Sequence, residues 1–274
     1  MAYSKYWDYE PSLAAAVIFT LIFAGLTIWH LLRLFRTRTW FCIPLVIGGL
    51  FEVIGFGARG VGNKKPDILI PYIIQALLIL LAPILFAASV YMILGRLIRA
   101  SNAESYSLIP VKWLTKIFVG GDVMCFMIQA GGGAVLSGAD SKSSRDLGQN
   151  LILAGLIIQI VVFGVFLVVA MIFDRRVHRK PTGSALDAGI SLSRFMMMLY
   201  SVSFLITFRN LFRVIEYAMG SEGYLLQNEW PIYAFDGTPM IAVLAICSMW
   251  YVGKMEPRAA SVQLEEQSIR RNRV

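Results

Sequence analysis

The chain has 274 residues, of which 57% are hydrophobic and 15% are charged, and its mean hydropathy is +0.66. This composition excludes a water-soluble globular protein, because nearly every residue lies in a long apolar stretch or a short connector. The net charge of +8 does not indicate a nucleic-acid partner, since anionic membrane lipids also attract basic loops. Only two histidines are present, too few for a multi-histidine metal site.

Seven apolar stretches follow one another along the chain, each long enough to cross a hydrocarbon core of about 30 Å. They predict an all-α membrane protein, a seven-transmembrane-helix bundle that forms a single domain over residues 1–252. Residues 253–274 contain few apolar side chains and are expected to form a disordered cytoplasmic tail. The spans are predicted near residues 12–34, 40–60, 71–95, 113–135, 150–173, 195–217 and 229–252.

The distribution of lysine and arginine predicts the orientation of the bundle. Of the 25 cations, 17 lie in the first, third and fifth connectors and the tail, five lie on the opposite side, and three lie inside spans. The positive-inside rule therefore places the N-terminus outside and the C-terminus in the cytoplasm. We expect an integral multi-pass protein of the plasma membrane, with other endomembranes as the alternative location.

Charged and amide side chains lie inside the predicted spans, where contact with lipid would be costly. An ionised side chain facing lipid costs about 3 kcal/mol, so these groups are expected to face inward and to pair. Several are seven residues apart, which is two helical turns, and therefore share a helix face. The candidate ligand-binding or translocation residues are Glu52, Arg59, Gln75, Asp122, Gln129, Arg209, Arg213, Glu216 and Asp236.

The spacing of these residues suggests specific partners. Glu52 is a candidate partner for Arg59, and Arg213 for Glu216. Asp122 has no candidate on its own helix, so its partner is expected to be Arg209 or a cationic ligand. In the predicted orientation the polar groups lie in the outer half of the membrane, above an uncharged interior at 79–90 and 163–173. A cavity open to the outside is the functional interpretation, and simple attachment of helix to helix is the structural alternative.

Glycines and prolines are expected to shape this site. Gly131, Gly132 and Gly133 are expected to end the fourth helix, giving either a close helix approach or an unwound segment. Pro83 and Pro239 are expected to kink the third and seventh helices, either as hinges or as features of packing.

The side chains needed for catalysis or for a resident cofactor are not evident. The sequence offers no nucleophile–base pair and no metal-ligand cluster, so we expect neither an enzyme nor a bound metal. We expect no cofactor. The alternative is a bound haem, for which His30 is the one candidate axial ligand. The three cysteines lie on different predicted helices and are expected to be core residues.

Motifs distributed from residue 9 to about residue 240 carry a family resemblance. They include Tyr9-x-Pro11, Glu52-x-x-Gly55-Phe56-x-x-Arg59, Gln129-Ala130-Gly131-Gly132-Gly133, Arg209-x-x-x-Arg213-x-x-Glu216-Tyr217 and Glu229-x-x-x-Tyr233-x-x-Asp236-x-x-Pro239. Together they resemble the fungal RTA-like, lipid-translocating exporter family. The resemblance implies a seven-helix protein, and family members are associated with export or flipping of sphingoid long-chain bases, resistance to toxic amphiphiles and, in some cases, haem or porphyrin traffic. Residue 56 is Phe56 in this chain, whereas family members frequently have a tyrosine at this position. The resemblance therefore does not identify the substrate.

Three functional classes are compatible with these features. A transporter or flippase of amphipathic lipids would bind an ammonium group with its carboxylates and a phosphate or carboxylate with its arginines. A receptor, sensor or binding protein for a lipid or porphyrin needs only the outward pocket and the basic cytoplasmic loops. An intramembrane enzyme is third. The expected partners are membrane lipids and an amphipathic small molecule.

Overall fold

The computed structural model describes residues 9–64, 66–101, 103–138, 141–179, 192–219 and 223–249, and within these ranges the chain is almost entirely helical. Six helices, the second counted with the short 3-10 turn before it, are long and apolar enough to cross a membrane. They are α1 (Leu13–Thr37), α2 (Ile43–Lys64), α3 (Leu69–Ala100), α4 (Val111–Ser137), α5 (Lys142–Arg179) and α6 (Leu192–Ala218). Shorter helical turns lie in the connectors at Trp40–Cys42, Glu104–Tyr106 and Tyr224–Gln227.

The seventh apolar segment, Ile232–Ser248, is shorter than the other six and begins irregularly. Residues Ile232–Gly237 form a π-helical turn, and α7 follows at Thr238–Met249. Pro239 explains this turn, because its ring nitrogen has no hydrogen to donate to the preceding turn of a regular α-helix. We refer to the π turn and α7 together as the seventh helix.

The predicted all-α, seven-helix bundle is confirmed, with shifted boundaries. Most helices extend past the predicted spans, and α5 runs from Lys142 to Arg179 instead of over residues 150–173. α3 continues without a break through Pro83. The predicted tail at 253–274 lies outside the described residues.

The expectation that three glycines end the fourth helix is wrong, because α4 continues through them to Ser137. Close approach occurs at Gly132, where an added Cβ would lie 2.8 Å from the carbonyl oxygen of Gly148 and 2.9 Å from atoms of Ile152. Gly131 and Gly133 face open space. Of the three glycines, only Gly132 lies at a close approach of the α4 and α5 backbones, and none of the three unwinds the helix.

The bundle has one end rich in polar side chains and one that is aromatic and aliphatic. We define the polar end as the end where α1, α3, α5 and the seventh helix begin and where α2, α4 and α6 end. Away from it, Tyr91 of α3 packs against Phe118 of α4 and Phe166 of α5, with ring centroids 5.5 and 4.5 Å away. These rings belong to a continuous buried core that includes much of the uncharged interior expected at 79–90 and 163–173.

Candidate functional site

Arg59 is the centre of a buried polar cluster at the polar end. Its guanidinium lies 3.0 Å from Glu229 and donates to Tyr233 at 3.0 Å and to Gln75 at 3.3 Å. It also donates to the hydroxyl of Tyr9 at 2.8 Å and lies 5.3 Å from the centroids of both tyrosine rings. With 0% of its surface exposed, Arg59 is stabilised by one carboxylate, neutral acceptors and two aromatic faces.

The segment that precedes α1 is hydrogen-bonded to the same cluster and to the end of α2. The backbone N–H of Ser12 donates to both carboxylate oxygens of Glu229 at 2.8 Å. The side-chain amide of Asn63 donates to the carbonyl of Pro11 at 2.7 Å. Since Tyr9 also bonds Arg59, three contacts hold residues 9–12 across the ends of α2 and the seventh helix.

A second cluster joins α6 to the seventh helix through Asp236. Both Arg209 and Arg213 donate to the carboxylate of Asp236, which is 1% exposed. Arg213 also forms an ion pair with Glu216 at 2.8 Å, which confirms the pairing suggested by their spacing. The two guanidiniums and two carboxylates balance in formal charge, so the cluster needs no charged ligand to be neutral.

Pro83 contributes to this cluster from a distance. A residue with an N–H at position 83 would donate to the carbonyl of Ile79, four residues earlier, and proline cannot. Arg209 instead donates to that carbonyl at 3.0 Å. The proline in α3 therefore supplies an acceptor for a buried guanidinium on α6, a role that its expected kink did not suggest.

Glu52 does not pair with Arg59, contrary to the suggested partnership. The side chain of Glu52 is 1% exposed, and its Oε2 has no hydrogen-bond partner. It lies in the electrostatic field of Asp236, Arg209 and Arg213. Two helical turns separate Glu52 from Arg59 on α2, so each side chain reaches a different cluster.

Asp122 does not pair with Arg209, which is bound to Asp236. Its Oδ2 accepts the hydroxyl hydrogen of Tyr91 at 2.8 Å, and its Oδ1 has no hydrogen-bond partner. Two turns further along α4, Gln129 donates its amide to Gln159 of α5 at 2.9 Å. The expectation of a cross-bundle arginine partner for Asp122 is therefore wrong, and its observed partner is a neutral phenol.

A cavity of about 160 Å³ lies between these clusters at the polar end. Five of the nine predicted site residues line it, together with Gly133. The other four, Glu52, Asp122, Arg209 and Asp236, are buried outside its lining. The lining comprises Tyr9, Arg59, Tyr72, Gln75, Ala76, Leu77, Ile79, Leu80, Gln129, Gly133, Ile152, Arg213, Glu216, Tyr217, Leu225, Asn228 and Ile232.

His30 lies far from this cavity, towards the opposite end of α1. Its Nε2 hydrogen-bonds the carbonyl of Leu244 at 3.0 Å, and it lines a cavity of only about 30 Å³ with Cys42 and Cys247. Among the described residues, no three histidine, cysteine or acidic side chains are grouped to hold a metal ion. The surroundings of His30 offer no space for a porphyrin.

Sequence reasoning missed several residues of the site as partners. Glu229 lies seven residues before Asp236 and so on the same helix face, but at the edge of the predicted seventh span. Tyr9 precedes the first predicted span. Tyr233 and Gln159 are uncharged, and residues of this kind occur at many positions, so their type alone does not mark them as part of the site. For Tyr9, Tyr233 and Glu229, the signal is a hydrogen-bonding side chain near the membrane boundary, where it can reach a buried arginine.

Comparison with known proteins places these features in a family. The family model described as RTA1 like protein matches residues 45–258. Protein RTA1 of Saccharomyces cerevisiae is 34% identical over 265 residues, covering 88% of this chain and 82% of that protein. Protoporphyrin uptake protein 1 of Saccharomyces cerevisiae is 36% identical over 209 residues, covering 76% and 67%.

A relative of lower identity is named for a lipid substrate. The sphingoid long-chain base transporter RSB1 of Saccharomyces cerevisiae is 23% identical over 283 residues, covering 91% of this chain and 74% of that protein. No solved structure matches the chain. The similarity to RSB1 extends across most of this chain, so it includes the helices that build both polar clusters.

Proposed function

The chain belongs to the RTA1-like protein family, and we propose that it transports amphipathic lipids, with sphingoid bases or similar amphiphiles as substrates. It is an integral multi-pass membrane protein, and lipid transport is supported at the level of the family by relatives named for it. The proposal assigns no catalytic reaction and no resident cofactor to the chain. It places the substrate head group in the cavity at the polar end.

The observation that carries the proposal is the combination of charge and small volume in this cavity. Its lining mixes Arg59, Arg213 and Glu216 with aliphatic side chains, a pattern suited to an amphiphile. Pockets for whole drug-sized ligands usually have volumes of about 300–1,000 Å³, and this one has about 160 Å³. A polar head group would fit there while its alkyl chain remained in the bilayer.

The polar groups of the lining match the functional groups of a sphingoid base. Its ammonium would bind the carboxylate of Glu216, and its hydroxyls would bind the amides of Gln75 and Gln129. Arg213 already occupies Glu216, so substrate binding must weaken that ion pair. The freed guanidinium would remain paired with Asp236, which limits the cost of the exchange.

We further propose that this cavity faces the exterior and that transport alternates access between the two ends of the bundle. The cation distribution along the sequence supports the orientation. The packed aromatic core below the cavity supports a conformation closed at the opposite end. Plasma membrane is the location we expect for such an exporter.

Transport in proteoliposomes tests the proposal directly. Purified protein is reconstituted, and movement of a fluorescent sphingoid base between leaflets is followed by back-extraction and compared with protein-free liposomes. Ala76→Phe should slow transport at least several-fold, because Ala76 lines the cavity. Ala134→Phe is the matched control, since Ala134 is exposed on α4 and lies outside the lining. Equal rates with and without protein would refute lipid transport.

A porphyrin is the second candidate ligand, favoured by two observations. One relative with 36% identity is named for protoporphyrin uptake. Arg59 and Arg213 line one cavity, and guanidiniums bind carboxylates such as the porphyrin propionates. Titration of the purified protein with protoporphyrin, followed by its absorbance and fluorescence, tests this. Unchanged spectra would exclude the porphyrin, and competition with a sphingoid base would place both ligands in one site.

A further inference from the structure

Asp122 is a buried carboxyl group that the proposed head-group site does not use. Its side chain is 1% exposed, Tyr91 donates one hydrogen bond to it, and its Oδ1 has no hydrogen-bond partner. Within the described part of the chain, Arg59, Arg209 and Arg213 form ion pairs with other carboxylates, and no ion pair includes Asp122. Among the described residues, Asp122 therefore has no paired countercharge.

The surroundings of Asp122 favour its neutral form. α3 contributes Tyr91, α5 contributes the Phe163 and Phe166 rings packed against Tyr91, and α4 itself contributes Cys125. Of the described groups that face Asp122, only Tyr91 and Cys125 can titrate, and neither carries a positive charge. An ionised carboxylate in such surroundings is more costly than a protonated one, so burial at this position favours the carboxylic acid.

One face of α4 carries both this carboxyl group and a side chain of the cavity lining. Gln129 lies seven residues from Asp122 on the same face of α4, about 10 Å towards the polar end at the usual helical rise. Its side chain lines the cavity, and its Oε1 has no hydrogen-bond partner. The Gln129–Gln159 amide pair thus lies between the cavity and Asp122. A substrate head group that moved inward along this face of α4 would reach the carboxyl group.

We propose that Asp122 is a proton-binding site that exchanges its proton for the cationic head group of the substrate, which makes transport a proton-coupled antiport. The inference rests on the proposed lipid transport and supplies its energy source. The O–H bond of Asp122 breaks, its electron pair stays on the carboxylate, and the proton passes to water in the cavity. The ammonium group becomes the countercharge, and a proton from water replaces it when the substrate leaves.

Two measurements test the inference, and the first does not depend on transport. Infrared difference spectra of the purified protein, recorded across a pH titration, should contain the carbonyl band of a buried protonated carboxylic acid. The band should disappear in Asp122→Asn and shift in Tyr91→Phe, which removes the hydrogen-bond donor. Asp174→Asn is the matched control, because Asp174 also accepts a tyrosine hydroxyl, that of Tyr200 at 3.2 Å, but is partly exposed. Absence of an Asp122-dependent band would overturn the proton site.

The second measurement follows sphingoid-base accumulation in proteoliposomes that carry a pH gradient and an internal pH dye. In the presence of the gradient, the wild-type protein should accumulate the base to several times the level reached without a gradient. It should also move protons in the direction opposite to the base. Asp122→Asn should lose both this accumulation and the accompanying proton movement, whereas Asp174→Asn should keep both. Wild-type movement that ignores the gradient would overturn the coupling and leave lipid transport standing. No movement at all would remove the proposed function, while the infrared result would still decide whether Asp122 binds a proton.

Discussion

Loss of the Arg209–Asp236 ion pair should be among the most costly single changes to the fold. Both side chains are 1% exposed, so Asp236→Asn leaves a buried guanidinium without its carboxylate. The remaining acceptors of Arg209 are the carbonyl of Ile79 at 3.0 Å and the side chain of Asn210 at 3.4 Å. Breaking a buried pair from one side costs about 3–5 kcal/mol. Arg213 keeps Glu216 at 2.8 Å, so we expect the cost to stay within that range.

A double-mutant cycle measures this interaction. The free energy of unfolding in detergent is determined for the wild type, Arg209→Gln, Asp236→Asn and the double variant. The coupling energy should be about 1–3 kcal/mol, because contacting buried residues do not behave additively. The same cycle for Glu52→Gln and Arg59→Gln is the control and should be additive within about 0.5 kcal/mol. Additivity at Arg209 and Asp236, or strong coupling in the control, would refute the assignment of partners.

Three further predictions follow from the packing and the charge distribution. Gly132→Ala should lower the free energy of unfolding by about 1–3 kcal/mol through overpacking against α5, whereas Gly131→Ala, which faces open space, should change it little. Tyr9→Phe removes a 2.8 Å bond to Arg59 and should cost about 1 kcal/mol in the same unfolding assay, with the exposed Tyr224→Phe as control. A reporter at the C-terminus should be cytoplasmic and one at Met1 exterior, and the reverse result would invert the depth of the cavity.

The number and order of the helices could be predicted because a membrane span has a simple physical signature. Every backbone group must be satisfied within the helix, and its outer surface must be apolar over about 20 residues. The polar stripes could also be predicted, since the helical period places residues seven apart on one face. Three members of those stripes, Arg59, Gln129 and Glu216, line the cavity. Local periodicity was enough to select the face of each helix.

The pairing of charges could not be predicted, because periodicity within one helix does not say which helix lies opposite. Glu52 and Arg59 share a face of α2, yet Arg59 reaches Glu229 of a segment 170 residues away in sequence. The partner of Asp122 is a tyrosine. Because neutral hydrogen-bonding residues occur at many positions, the sequence does not indicate which of them faces Asp122. The glycine run was misread for a related reason, because glycine permits an unwound helix but the membrane environment favours a continuous one.

The π turn before α7 determines the direction in which the side chain of Asp236 points, and therefore its contact with Arg209 and Arg213. The backbone N–H and the hydroxyl of Thr238 both donate to the carbonyl of Tyr233, five residues earlier, and the hydroxyl contact is 2.8 Å. A π turn contains one residue more than the α-helical turn it replaces, which is about 100° of rotation at 3.6 residues per turn. Pro239 maintains the turn, because it cannot donate to the carbonyl of Phe235 as a regular helix requires.

Pro239→Ala should therefore act on the site through the direction of Asp236. With an N–H restored at position 239, a regular α-helix becomes available and would rotate Asp236 away from Arg209. We expect the coupling energy between Arg209 and Asp236 to fall below about 0.5 kcal/mol when the cycle is repeated in this background, while helix content by circular dichroism is unchanged. Pro231→Ala is the matched control, because a proline in the first turn replaces an N–H that would have no helical partner. If the coupling persists in Pro239→Ala, contacts across the bundle, and not the proline, hold Asp236 in place.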